Sequence, residues 1–250
     1  MRLQIPISAT FSLTVIIMFS EKNLKIHPEV LAKVINPDIK GKDLNERDEW
    51  YRAYATIPLQ THSTNVAIVT SESDDFPETD ALITFIPNLT IGIKTADCVP
   101  ILIYASDIKG IAAIHAGWKG SLNGIVEKTV DLLIEQGASP TNMFVTFGPS
   151  ISKKNYEVDQ TLADKFIDAG FSDYVDYPLG KEQKPHLDLQ GINMERLLQR
   201  GVKTDNIYLN PDCTYATTDN NGEYLYQSYR RDGEKAGRIL TTIKIRSCNS

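Results

Sequence analysis

Between residues 66 and 115 one pattern recurs: a short apolar run rich in β-branched residues, closed by turn formers. The runs are Val66–Val69, Ala81–Phe85, Ile91–Ile93, Val99–Tyr104 and Ile111–His115. Each has the length of a strand and is too short to pack as a helix. Further strands are expected at Met143–Phe147, Ile207–Leu209, Tyr224–Ser228 and Ile239–Ile245. Helical spacing marks a segment from Ser121 or Asn123 to about Gln136, with Gly137 as its stop. It also marks Gln160–Ala169, stopped by Gly170, and Met194–Gln199, with Asn193 as a cap. Helical stretches are read around Pro28–Val34 and Leu44–Ala53 as well. Strands and helices mix without strict βαβ alternation, so the expected class is α+β in one domain over residues 1–250.

The chain has 250 residues, 42% of them hydrophobic, enough to build a core without disulfide staples. Its formal charge of −6 argues against a nucleic-acid partner, which needs clustered Lys and Arg, but allows a local basic pocket for a small anion. Cys98, Cys213 and Cys248 are too few for a disulfide framework, and free thiols point to a reducing, cytoplasmic setting. The apolar run Ile5–Phe19 is too short and hydroxyl-rich to cross a membrane, and no good cleavage site follows it. A buried first strand, or a badly chosen start site, is the expectation there.

Two segments carry chemistry: Thr95-Ala96-Asp97-Cys98-Val99-Pro100 and Ile114-His115-Ala116-Gly117-Trp118-Lys119-Gly120. Both lie at strand ends, where loops present side chains to a cleft. Gly117 and Gly120 precede a helix, a turn whose N–H groups suit an anion. His62, Cys98 and His115 form a Cys/His₂ set, the pattern of a catalytic zinc with an open water position. Their spacing alone is weak, and a buried thiol with two backbone-bonded histidines explains it as well. Arg230, Arg231 and Arg238 are forked donors suited to phosphate or carboxylate, or else members of an Arg–Asp network pinning the last strand. His186 reads as a solvated loop residue and His27 as peripheral.

The ordered segments TADCVPIL, AAIHAGWKGSLNGIVEKTV, FGPSISKKNYEV, DCTY and SYRRDGEKAGR resemble the YfiH-type laccase-domain family, also labelled multicopper polyphenol oxidases. The resemblance covers roughly Leu59 to Ile245. It implies mixed β-sheets in a four-layer α/β/β/α arrangement and a zinc ion on His62, Cys98 and His115. It further implies purine nucleoside phosphorolysis (adenosine, inosine, guanosine or methylthioadenosine, with phosphate) and adenosine deamination. The copper and polyphenol label fits four histidines poorly, since a coupled oxidase needs more.

With that implied activity, the candidates are Cys98, His115 and Asp97 for catalysis, Asp97 as acid/base or as orienter of a ligand. Gly117, Trp118, Lys119, Arg230 and Arg231 are the candidates for substrate and phosphate. Residues 1–58 depart from the resemblance: the family's opening phenylalanine-serine-threonine-arginine-like strand has no clear counterpart, and Lys119 stands where members often carry Arg. Two other readings follow from the same residues. One is a Cys98 amide hydrolase acting on a peptidoglycan precursor, with His115 or His62 as base. The other is a member without activity.

Overall fold

The computed structural model describes residues 14–17, 30–35, 49, 51–71, 75–178, 180 and 182–246. Two sheets stack face to face. The larger is mixed and six-stranded, in the order β11-β8-β6-β7-β4-β3. Its strands are β3 (Val66–Ile68), β4 (Ala81–Thr84), β6 (Val99–Ala105), β7 (Gly110–Ala116), β8 (Met143–Phe147) and β11 (Ile207–Tyr208). The smaller is antiparallel, in the order β1-β2-β12-β5. It holds β1 (Thr14–Ile17), β2 (Val30–Ile35), β5 (Thr90–Thr95) and β12 (Ile239–Ile245). A two-stranded ribbon pairs β9 (Val175–Asp176) with β10 (His186–Leu187).

Alternation along the strands sorts the side chains into layers. On the larger sheet Leu82, Leu102, Tyr104, Ile111 and Ala113 face the smaller one, meeting Ile91, Ile93 and Ile243. The opposite face, with Ile83, Ile101, Ile103 and Ile114, packs under helices. These are α1 (Trp118–Asn123), α2 (Ile125–Glu135), α3 (Gln160–Asp168) and α4 (Leu189–Gln199). On the far side of the smaller sheet, Ile35 and Leu240 pack against Tyr51, Ala55 and Ile57, around the helical turn at 51–54. The expected α+β class and α/β/β/α layering are therefore both present. No helix among the described residues is long and apolar enough to cross a membrane.

Several expected elements differ. Pro28–Val34 is not helical where described: Val30–Ile35 is strand β2, held between β1 and β12. Its apolar spacing suits either state, and pairing on both edges decides it. Tyr224–Ser228 makes only a single bridge, Thr218 to Tyr224. Tyr226 instead donates to Asp212 at 2.7 Å, and Ser228 caps α5 (Tyr229–Asp232). The helix expected from Ser121 or Asn123 is two helices, capped by Gly117 and broken at Gly124, whose φ of +85° is left-handed. The last long helix begins earlier than Met194, at Leu189, because Asp188 accepts the Gly191 N–H at 2.9 Å. Within Ile5–Phe19 the described residues Thr14–Ile17 are a strand; the rest of that run, His27 and Cys248 lie outside the described residues.

Candidate functional site

The register of the larger sheet brings the site together. Ala81 pairs with Ile114, so Asp80, just before β4, lies opposite His115 near the end of β7. The main chains confirm it: His115 N–H donates to Asp80 O at 2.8 Å. Val99 pairs with Ala116, which sets Cys98 beside Gly117. By alternation Asp80, Cys98 and His115 share the face turned toward the second sheet. His62 arrives from the loop before β3. That loop is fastened by Gln60, whose side-chain amide bonds both the Lys94 N–H and the Lys94 carbonyl of β5, at 2.8 and 2.7 Å. His62 itself has φ +60°, a backbone state that non-glycine residues rarely adopt.

The ligand atoms of His62, Cys98 and His115 lie within 4.8 Å of one another, with Cys98 Sγ and His62 Nε2 3.8 Å apart. A tetrahedral zinc with ordinary bond lengths separates a bound S and N by about 3.6 Å, so the donors fit such an ion in identity and spacing. The His62 and His115 rings meet edge-on, centroids 4.9 Å apart.

Asp80 organises this cluster. It is fully buried and accepts from the backbone N–H groups of Thr61, His62 and Ser63, from the Ser63 hydroxyl, and from His115 Nδ1 at 2.7 Å. Burial alone would raise its titration, but the His115 and Ser63 hydrogen bonds outweigh it and hold the carboxyl down at about 2. An ionised carboxylate only accepts, so His115 Nδ1 carries a proton and Nε2 is the nitrogen that would ligate a metal, in place of its own proton. Burial likewise opposes charge on Cys98 and His115. The two nonetheless stabilise each other: His115, helped by His62, brings the thiol down to about 6, and Cys98, helped by Asp80, takes the imidazole up to about 9. Gly117 is required beside them: a Cβ there would lie 2.8 Å from His62 Cδ2 and 3.1 Å from Cys98 Sγ.

Asp97, expected as an acid/base or as the orienter of a ligand, is held in place by hydrogen bonds on both carboxylate oxygens. Its φ is +85°, its Oδ1 accepts from the Thr214 hydroxyl at 2.7 Å, and its Oδ2 accepts from the Arg230 N–H at 2.6 Å. It therefore ties the start of α5 to the segment carrying Cys98. The carboxylate bonded to His115 is Asp80, which motif reading missed.

Arg230 is exposed, donates Nη1 to Glu157 O at 2.8 Å, and lies 5.3 Å from the Tyr156 ring centroid. Arg231 turns inward, to the carbonyls of Thr214, Tyr215 and Tyr226 and to Asp232, which is the pinning network rather than an open fork. Arg238 likewise donates to backbone carbonyls, of Ala236 and Gly237. Trp118 is half-buried against the helical core, with Lys119 and Lys165 each over its ring, at 5.6 and 5.7 Å. His186 bonds Lys153 O at 3.0 Å, and Cys213 accepts from Ser152 N–H and the Asn155 amide, so neither joins the cluster.

Residues 42–246 match the family model described as "Multi-copper polyphenol oxidoreductase laccase". A purine nucleoside phosphorylase of Deinococcus radiodurans is 35% identical over 180 residues, 72% of this chain and 66% of that protein. One of Bacteroides thetaiotaomicron is 37% identical over 76% of this chain and 72% of its own length. Adenosine deaminase RL5, from an unknown prokaryotic organism, is 32% identical over 75% and 73% of the two chains. Among solved structures, the Bacillus licheniformis hypothetical protein YfiH superposes with a TM-score of 0.73 at 25% identity, covering 87% of this chain and 93% of that one.

Proposed function

From the premise that this chain belongs to the multi-copper polyphenol oxidoreductase laccase family, we propose that it is a zinc-dependent purine nucleoside phosphorylase that also deaminates adenosine. The observation that carries this reading is the His62–Cys98–His115 donor set with Asp80 orienting His115. Zinc held there by His62, Cys98 and His115 would supply a Lewis acid, the chemistry that could activate a water for deamination at purine C6. Copper oxidase chemistry is the weaker fit. Of four histidines, two are in this cluster, His186 bonds a backbone carbonyl, and His27 lies outside the described residues.

In phosphorolysis a phosphate oxygen bonds to C1′ as the bond from C1′ to the purine nitrogen breaks, and the purine leaves with the electron pair. Arg230 is our candidate for holding the phosphate: its backbone is anchored on Asp97, its side chain is exposed, and among the described residues only Nη1 of its guanidinium is taken, by Glu157 O. Gly117 keeps the floor of the site open for His62 and Cys98. Substrates are a purine nucleoside and inorganic phosphate; methylthioadenosine is included because the activity acts on the base–sugar bond. Two free cysteines among the described residues fit a cytoplasmic setting.

A second reading rests on one observation. Asp80, His115 and Cys98 follow one another as carboxylate, imidazole and thiol, the order of a cysteine hydrolase, here on an amide substrate. Product analysis separates the two. Zinc-loaded protein and Cys98→Ala are incubated with adenosine, with and without phosphate. Adenine formed only with phosphate and only by wild type is expected, with inosine formed independently of phosphate. Neither product from fully zinc-loaded protein overturns the purine reading.

A further inference from the structure

We propose that Tyr156 binds the phosphate co-substrate: its hydroxyl and the Arg230 guanidinium, 5.3 Å from its ring centroid, act as one donor pair for the phosphate used at the His62–Cys98–His115 site. This rests on the phosphorylase reading and deepens it.

The pair is built by three anchors. Tyr156 O accepts from Leu187 N–H at 3.1 Å, fixing the backbone under the ring. Glu157, the next residue, accepts Arg230 Nη1 at 2.8 Å, so one dipeptide holds both the ring and the guanidinium over it. Arg230 N–H is bound by Asp97, the residue before Cys98, which ties the backbone of Arg230 to the segment carrying that thiol. The Tyr156 hydroxyl has no hydrogen-bond partner among the described residues, and the ring is partly buried. Burial foremost, and then the charges of Cys98 and Asp97, push the phenol up to about 12 against the opposing pull of Arg230. A phenol that stays protonated offers a donor to an anion without adding a charge of its own.

The ligand class follows from the donors. A tetrahedral oxyanion takes one bond from a hydroxyl and others from a guanidinium fork. Arg231 is taken up by carbonyls and Asp232, and the Lys119 ammonium lies over Trp118, 5.6 Å from its ring centroid.

The test uses zinc-loaded wild type and Tyr156→Phe, which keeps the ring and removes only the hydroxyl. Two quantities are read: the phosphate KM of adenosine phosphorolysis, and inorganic phosphate binding by calorimetry. A hydrogen bond to a charged group predicts a rise of about 10-fold or more in phosphate KM and Kd, with adenosine KM little changed. Arg230→Gln should weaken phosphate further. If wild type binds and uses phosphate and Tyr156→Phe matches it at equal zinc content, the inference fails alone. If wild type neither binds nor uses phosphate, the inference and the phosphorylase reading fail together.

Discussion

Asp80 collects five hydrogen bonds in a fully buried position, and both histidines of the cluster depend on it. His62 depends on it through the backbone of its loop, and His115 through its ring. In Asp80→Asn the amide NH₂ must face at least one of these donors. Metal affinity is predicted to fall roughly 10–100-fold, read by competition with a chelating dye. The linkage has a definite sign. A carboxyl held at about 2 contributes stability at pH values above its unfolded pKa and loses it as pH falls toward 2. That contribution is on the order of 2 kcal/mol, and the acid-unfolding curve of Asp80→Asn should lack it. Cys98 gives a second prediction. In metal-free protein its thiol sits at about 6, so iodoacetamide alkylation should rise through pH 6 and level off by pH 8. A rate still climbing at pH 9 would show an ordinary thiol.

At the scale of elements, the break at Gly124 separates α1 from α2 and leaves carbonyls at the end of α1 without helical partners. Arg196 of α4 answers this by donating Nη2 to Leu122 O at 2.8 Å while pairing with Glu127 of α2 and lying 4.7 Å over Phe171. The ion pair is nearly buried, its side chains 11% and 13% exposed. Arg196→Met should cost about 3–5 kcal/mol in denaturant unfolding, because it strands Glu127. Arg196→Met with Glu127→Leu should recover most of that loss. Equal losses in the single and double variants would show that the pair is not the stabilising feature. This break was not legible in the sequence: the apolar spacing of Leu122, Ile125, Val126, Leu133 and Ile134 runs straight across it. By contrast β12 was legible end to end, since Ile239–Ile245 is β-branched and strand-like on its own.

For the whole molecule, what local patterns could not show is what register creates. Asp80 precedes an apolar run and looks like a turn residue until Ala81 pairs with Ile114 and sets it against His115. β2 was read as helix because only its neighbours β1 and β12 decide its state. The grouping of His62, Cys98 and His115 was legible through the ordered motifs, although spacing alone could not join residues so far apart. An ion held there would cross-link the His62 loop, the turn before β6 and the end of β7. Zinc at about 1,000 times its Kd should therefore stabilise the fold by about 4 kcal/mol, or roughly 10 °C in Tm. A chelator should remove this in wild type and change nothing in Cys98→Ala.

The central claim is that His62, Cys98 and His115 hold one zinc ion, and X-ray absorption at the zinc edge tests it most directly. The account predicts one sulfur at about 2.3 Å, two imidazole nitrogens near 2.0 Å and one further light atom. That sulfur should be lost in Cys98→Ala. A wild-type shell of light atoms only, or protein that retains no zinc after loading, would contradict it.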